Sequence, residues 1–167
     1  MLSAYTAFHV LVSLAGIGSG LVVLFGLLTS RLLDRWTTIF LVTTAATSVT
    51  GFLFPFHGFL PSYGVGILSL VVLAFTFQAR GRMQTSSGWR NTYVITATTA
   101  LYLNVFVLVA QMFQKIPALR ALAPTQADPP FQIAEAGVLV VFVLLGALAT
   151  SKFRPMPTAV RARAMGA

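Results

Sequence analysis

The stretch Ala4–Leu28, AYTAFHVLVSLAGIGSGLVVLFGLL, runs for 25 residues without a charge, and TSRLLDRW (Thr29–Trp36) follows at once. At 1.5 Å per residue such a rod is about 37 Å long, enough to cross a hydrocarbon layer of about 30 Å. A cleaved secretion leader has a basic start and an apolar core of only about 7 to 15 residues. This run has no Lys or Arg before it and arginines directly after it, so it is read as a retained span.

Working outward, four further apolar runs follow, at Thr37–Phe54, Tyr63–Ala79, Thr92–Phe113 and Phe131–Thr150, each bounded by charge, proline or both. Composition agrees with the pattern: 57% of the 167 residues are hydrophobic, 8% are charged, and the mean hydropathy is +0.86. A soluble domain of this size leaves a large share of its surface in water and carries about a quarter charged residues. The expected fold is therefore an all-α integral membrane bundle of five transmembrane helices. Residues 1–150 form the bundle, and 151–167 form a basic tail.

The direction of the spans follows from the basic residues, which resist translocation. Arg31, Arg35, Arg80, Arg82, Arg90, Lys152, Arg154, Arg161 and Arg163 lie in one alternate set of connections and the tail, while the other set holds only Lys115 and Arg120. Such a bias is self-consistent with an odd number of spans, the N-terminus outside and the C-terminus cytoplasmic. Trp36 and Trp89, each beside an arginine, fit interfacial anchors at the inner boundary.

The formal charge of +8 is thus a topology signal, and no nucleic-acid partner is expected. Absence of cysteine excludes disulfides, thiolate metal sites and covalent haem attachment. The partners expected are the lipid bilayer and either other membrane subunits or further copies of the chain. The external connection Gln114–Pro130 is long but rich in proline, which argues against a long helix and leaves room for a short turn around Ala118–Leu122.

Polar groups within apolar spans are costly, so they mark the candidate site. Counted at 1.5 Å per residue from the inner boundary, His9 stands about 28 Å up its span, His57 and Gln111 about 30 Å, and Asn104 about 19 Å. Glu135, the only carboxylate in a span, lies about 7 Å below the outer boundary by the same count. All five gather in the external half. Two stripes at helical spacing carry some of them: Tyr5, His9, Ser13, Gly16 and Gly20 on the first span, and Tyr93, Ala97, Ala100, Asn104, Val107 and Gln111 on the fourth. Gly16-Ile-Gly-Ser-Gly20 is read as a helix-packing motif, because a phosphate loop would follow a strand and carry a lysine.

Three roles fit this list. His9, His57, Asn104, Gln111 and Glu135 can form a polar cluster that fixes helix register in a structural or accessory subunit. They can instead line an outward-facing pocket for a quinone, a lipid head group or a small solute. Thirdly, His9 and His57 can hold a metal ion or a b-type haem, with Glu135 as a further oxygen ligand. No nucleophile–base arrangement, paired carboxylates or H-E-x-x-H is present, so enzymatic chemistry is the weaker class and no catalytic residue is assigned.

The strings FPFHGFLPS (Phe54–Ser62) and LYLNVFVLVAQMFQKIPALRALAPTQ (Leu101–Gln126) resemble segments of small uncharacterised multi-pass inner-membrane proteins of proteobacteria. The resemblance extends over most of the chain up to about Ala149. It implies a bacterial inner membrane and brings no catalytic residue with it.

Overall fold

The computed structural model describes residues 2–53 and 61–155, and among these every regular element is a helix. In chain order they are α1 (Leu2–Leu28), α2 (Asp34–Gly51), α3 (Pro61–Arg82), α4 (Ser87–Lys115), α5 (Pro117–Leu122) and α6 (Pro129–Lys152). Four of them, α1, α3, α4 and α6, are long and apolar enough to cross a membrane. The expectation of five spans is thus met for four by length and composition. α2 has 18 residues, opens on Asp34 and Arg35, and is rich in threonine, all of which lowers its hydropathy.

Most helices outrun the apolar segments that announced them. α4 begins at Ser87, where the Ser86 hydroxyl accepts the Trp89 amide at 3.3 Å, and α3 continues to Arg82. Polar flanks can extend a helix into the head-group layer, where water serves the backbone. α2 does the opposite and ends at Gly51, before Pro55. The short external turn expected around Ala118–Leu122 is α5, which starts on Pro117, and α6 likewise starts on a proline, whose missing N–H costs nothing in a first turn.

α4 is the hub: it packs on α3, α6, α1 and α5, while α2 packs on α1 and α3. Tyr93, Val94, Ala97, Thr98, Ala100 and Leu101 of α4 are all buried, so this helix is enclosed on more than one face. α6 is enclosed along one seam only. Phe131, Glu135, Phe142 and Ala149 are buried there, while Ile133, Leu139, Val140, Val141, Val143, Leu144 and Leu148 are exposed. An apolar surface of that extent is unsuited to water and well suited to lipid.

α1 and α2 run antiparallel in close contact, and the glycine motif is the reason they can. A Cβ on Gly20 would come within 2.6 Å of Leu101 Cδ1 and 2.9 Å of the Phe40 ring, and one on Gly16 within 3.2 Å of Thr43 Oγ1. Without a side chain at these positions the backbones of α1, α2 and α4 approach closely. Four of the seven hydroxyls of α2 bond their own helix, while Thr47 Oγ1 is buried without a hydrogen-bond partner. Thr38, Thr43, Ser48 and Thr50 each donate to the carbonyl four residues back, at 2.7–3.0 Å.

The connection after α1 is built without glycine. Arg31 N–H reaches Gly26 O (2.8 Å) and Ser30 N–H reaches Leu27 O (3.3 Å), the paired closure of a Schellman motif. The left-handed position falls on Ser30, with φ 57°. Its hydroxyl accepts the amide of Arg154 at 2.7 Å, tying the segment after α6 to the α1–α2 connection.

Further contacts gather at the same end. Arg80 reaches Asp34 at 3.5 Å, Arg82 stands 5.0 Å over the Trp89 ring, and Phe153 packs on Tyr93 with centroids 6.1 Å apart. Arg31, Arg35, Arg80, Arg82, Arg90, Lys152 and Arg154 therefore share one end of the bundle. Lys115 and Arg120 lie at the other, where α4 ends and α5 follows.

Candidate functional site

Polar residues of the α5 half do not form one cluster. His9, on α1, faces the C-terminal turn of α2, with Nδ1 2.8 Å from Thr50 Oγ1, and the Tyr5 hydroxyl donates to the Thr50 carbonyl. The Thr50 hydroxyl also lies 2.7 Å from Ala46 O, so this threonine joins the imidazole to the backbone of α2. Lys115, at the end of α4, lies within electrostatic reach of His9.

Asn104 makes a second, separate junction deeper in the bundle. Its amide donates to Thr44 Oγ1 at 2.9 Å, beside the surface left open by Gly16, so that α1, α2 and α4 meet at one polar point. Ser48 extends the link to α3 through Ser69 Oγ at 3.2 Å. Gln111 is half-buried on α4, further toward the α5 end.

Glu135 stands apart from both junctions. It is 8% exposed, and neither carboxyl oxygen has a hydrogen-bond partner. Gln132, one turn outward, donates instead to Ala127 O at 3.0 Å. Tyr102 on α4 is a titratable side chain within electrostatic reach of Glu135, and its ring packs on Phe142 with centroids 5.9 Å apart.

His57 lies outside the described residues, and with it the pairing of His9 and His57 on a metal or haem. Among the described residues no three His, Cys, Asp or Glu side chains gather as a metal set would require.

A hollow of about 310 Å³ opens at the α5 end, lined by Phe113, Gln114, Arg120, Ala123, Pro124, Thr125, Gln126 and Phe131. Phe113 and Phe131 close it on the bundle side with an edge-to-face contact, centroids 5.5 Å apart. The wall is held by Asp128, whose Oδ2 accepts from the Thr125 amide (2.7 Å) and hydroxyl (2.9 Å). Of the candidate residues, His9, Asn104, Gln111 and Glu135 do not line this hollow. Phe131, one helical turn from Glu135 on the same face of α6, is the residue whose spacing could have pointed to it.

Reasoning from residue types found the polar side chains but missed the partners of two of them, Thr50 and Thr44. Those threonines sat in a hydroxyl-rich run whose members are indistinguishable without the rotation of α2. Comparison of the chain with protein-family models, with curated proteins and with solved structures finds no match.

Proposed function

We propose that the chain is a five-span protein of a bacterial inner membrane, N-terminus outside and basic end in the cytoplasm, serving as a structural or accessory subunit of a membrane assembly. The observation that carries this reading is the use made of His9 and Asn104: each bonds a threonine of α2 and so joins helices. Side chains committed in this way fix rotation and register, and they do not converge around a shared cavity. α2 is the fifth span in this reading. Its 18 residues reach about 27 Å, and its back-bonded hydroxyls present little unsatisfied polarity to the neighbours.

Orientation is supported by the grouping of seven described arginines and lysines at one end against Lys115 and Arg120 at the other. The chain lacks cysteine, so single-cysteine variants report it cleanly. Gln126→Cys is expected to react with a membrane-impermeant maleimide applied to intact cells, and Gln84→Cys only after the membrane is opened; the reverse pattern overturns the topology.

The structural role is tested by His9→Ala and Asn104→Ala in purified protein. Both are expected to lower the unfolding temperature, and the unmodified protein is expected to show no Soret band. A preparation with bound haem or metal that is lost in His9→Ala at unchanged thermal stability overturns the structural reading in favour of ligation.

A further inference from the structure

We propose that Glu135 is a proton-binding site served from the α5 end of the molecule: its buried, unpartnered carboxyl lies one turn beneath the aromatic floor of the external hollow. The other two acids of the chain are accounted for. Asp34 pairs with Arg80, and Asp128 holds the Thr125 turn. Glu135 alone is buried with both oxygens unbonded.

An isolated carboxylate in an apolar interior is too costly to persist, and the group becomes neutral by taking a proton. Among the described residues no cationic side chain is paired with it. From α4 the group facing it is Tyr102, a neutral phenol. On α1, Tyr5 and His9 are turned to Thr50 of α2, and Lys115 acts on His9. Arg120, from α5, lines the hollow beyond Phe131. Among the described residues no second acid or histidine joins it to make a metal set, and hard cations need more oxygens than the two a single carboxyl supplies. The proton is the ligand that one unaccompanied acid can hold.

Access is unequal on the two sides. Toward α5, Phe131 stands four residues from Glu135, about 6 Å along the axis, and forms with Phe113 a single aromatic layer under the hollow. Toward the basic end the same seam of α6 is closed repeatedly, by Phe142 on Tyr102, by Ala149 and by Phe153 on Tyr93. Rotation of one ring pair suffices to admit water from the hollow, whereas passage the other way requires the core to open.

The probe is dicyclohexylcarbodiimide, a hydrophobic reagent that couples to protonated carboxyl groups, applied to the full chain in sealed vesicles with the modified peptide read by mass spectrometry. Glu135 is expected to be modified while Asp34 and Asp128 are spared, and Glu135→Gln is expected to abolish the product. Modification should slow by about tenfold per pH unit once the bath on the α5 side passes the midpoint of the titration, and should ignore the opposite bath. Phe131→Ala is expected to let a water-soluble carbodiimide reach Glu135 as well.

Failure of Glu135 to react in the unmodified chain, or a rate governed by the bath at the basic end, overturns the proposal. The maleimide pattern at Gln126→Cys states independently which compartment the α5 end faces. The proton site and the proposed topology therefore fail separately.

Discussion

The two ends of the bundle are built on different principles. At the basic end the core is nearly continuous: Leu27, Phe40, Leu41, Ala79, Tyr93, Val94, Ala149 and Phe153 are all essentially inaccessible and belong to one cluster. Toward α5 the buried apolar set shrinks to Ala110, Ala123 and Phe131, and hydrogen bonds between side chains take over. In a bilayer, burial of apolar groups gives little net drive, because lipid is as apolar as a leucine side chain, so close packing and polar junctions must hold helices together. The basic half combines a continuous packed core with the bonds of Arg80 to Asp34 and Thr38, whereas the α5 half leans mainly on polar junctions. This leaves the α5 half with the hollow and the unbonded acid.

The largest expected effect tests the packing device. Gly20→Leu should push α1 away from Phe40 and Leu101 and destabilise the bundle by about 1–3 kcal/mol, seen as a marked drop in unfolding temperature in detergent. Gly137→Leu on α6, where an added Cβ meets nothing within 4 Å, should leave that temperature unchanged. Equal effects at the two glycines would remove the distinction between a packed helix and a peripheral one.

The polar device is worth less per contact. Asn104→Ala removes the bond to Thr44 and should cost about 0.5–1.5 kcal/mol, the range found for hydrogen bonds between membrane helices. Asn104→Ala combined with Thr44→Val should cost little more than Asn104→Ala alone, since the pair acts as one unit. Strict additivity in that double-mutant cycle would show that Thr44 is not its partner in the bilayer.

How much of this was legible in the sequence differs between the ends for a physical reason. Hydropathy reports depth, so the apolar runs, the position of α5 and the split of basic residues were readable. The stripe through His9, Gly16 and Gly20 was also readable, because helical spacing gives one face. Rotation of one helix about its axis relative to another is not encoded in depth. His9, Asn104 and Glu135 were read as neighbours on level alone, yet His9 turns to Thr50, Asn104 to Thr44, and Glu135 to neither. The weak hydropathy of α2, whose run Thr37–Phe54 was nevertheless read as a span, has a related cause. Backbone bonding by its hydroxyls is invisible to a scale that counts each threonine as polar.

Glu135 gives the next smaller effect, with the opposite sign. Since no hydrogen bond is lost, Glu135→Leu should leave stability unchanged or raise it by about 1 kcal/mol, whereas removing a bonded buried acid normally destabilises. A fall in stability on substitution would mean that the carboxyl is bonded in the membrane.

The smallest effect lies in the turn that fastens the basic end, and it is small because two terms oppose. Ser30 holds φ 57°, a conformation that costs a non-glycine residue about 1–2 kcal/mol, and glycine there would recover much of that. The same substitution removes the hydroxyl that accepts the Arg154 amide at 2.7 Å, a bond worth about 0.5–1.5 kcal/mol. Ser30→Gly should thus be nearly neutral in unfolding temperature while hydrogen exchange at the Arg154 amide speeds up. Ser30→Ala keeps the strained backbone and loses the acceptor, so it should be the less stable of the two. If alanine and glycine prove equivalent, the left-handed turn at Ser30 is not maintained. The tie between the α1–α2 connection and the segment after α6 would then contribute nothing to the packed half of the bundle.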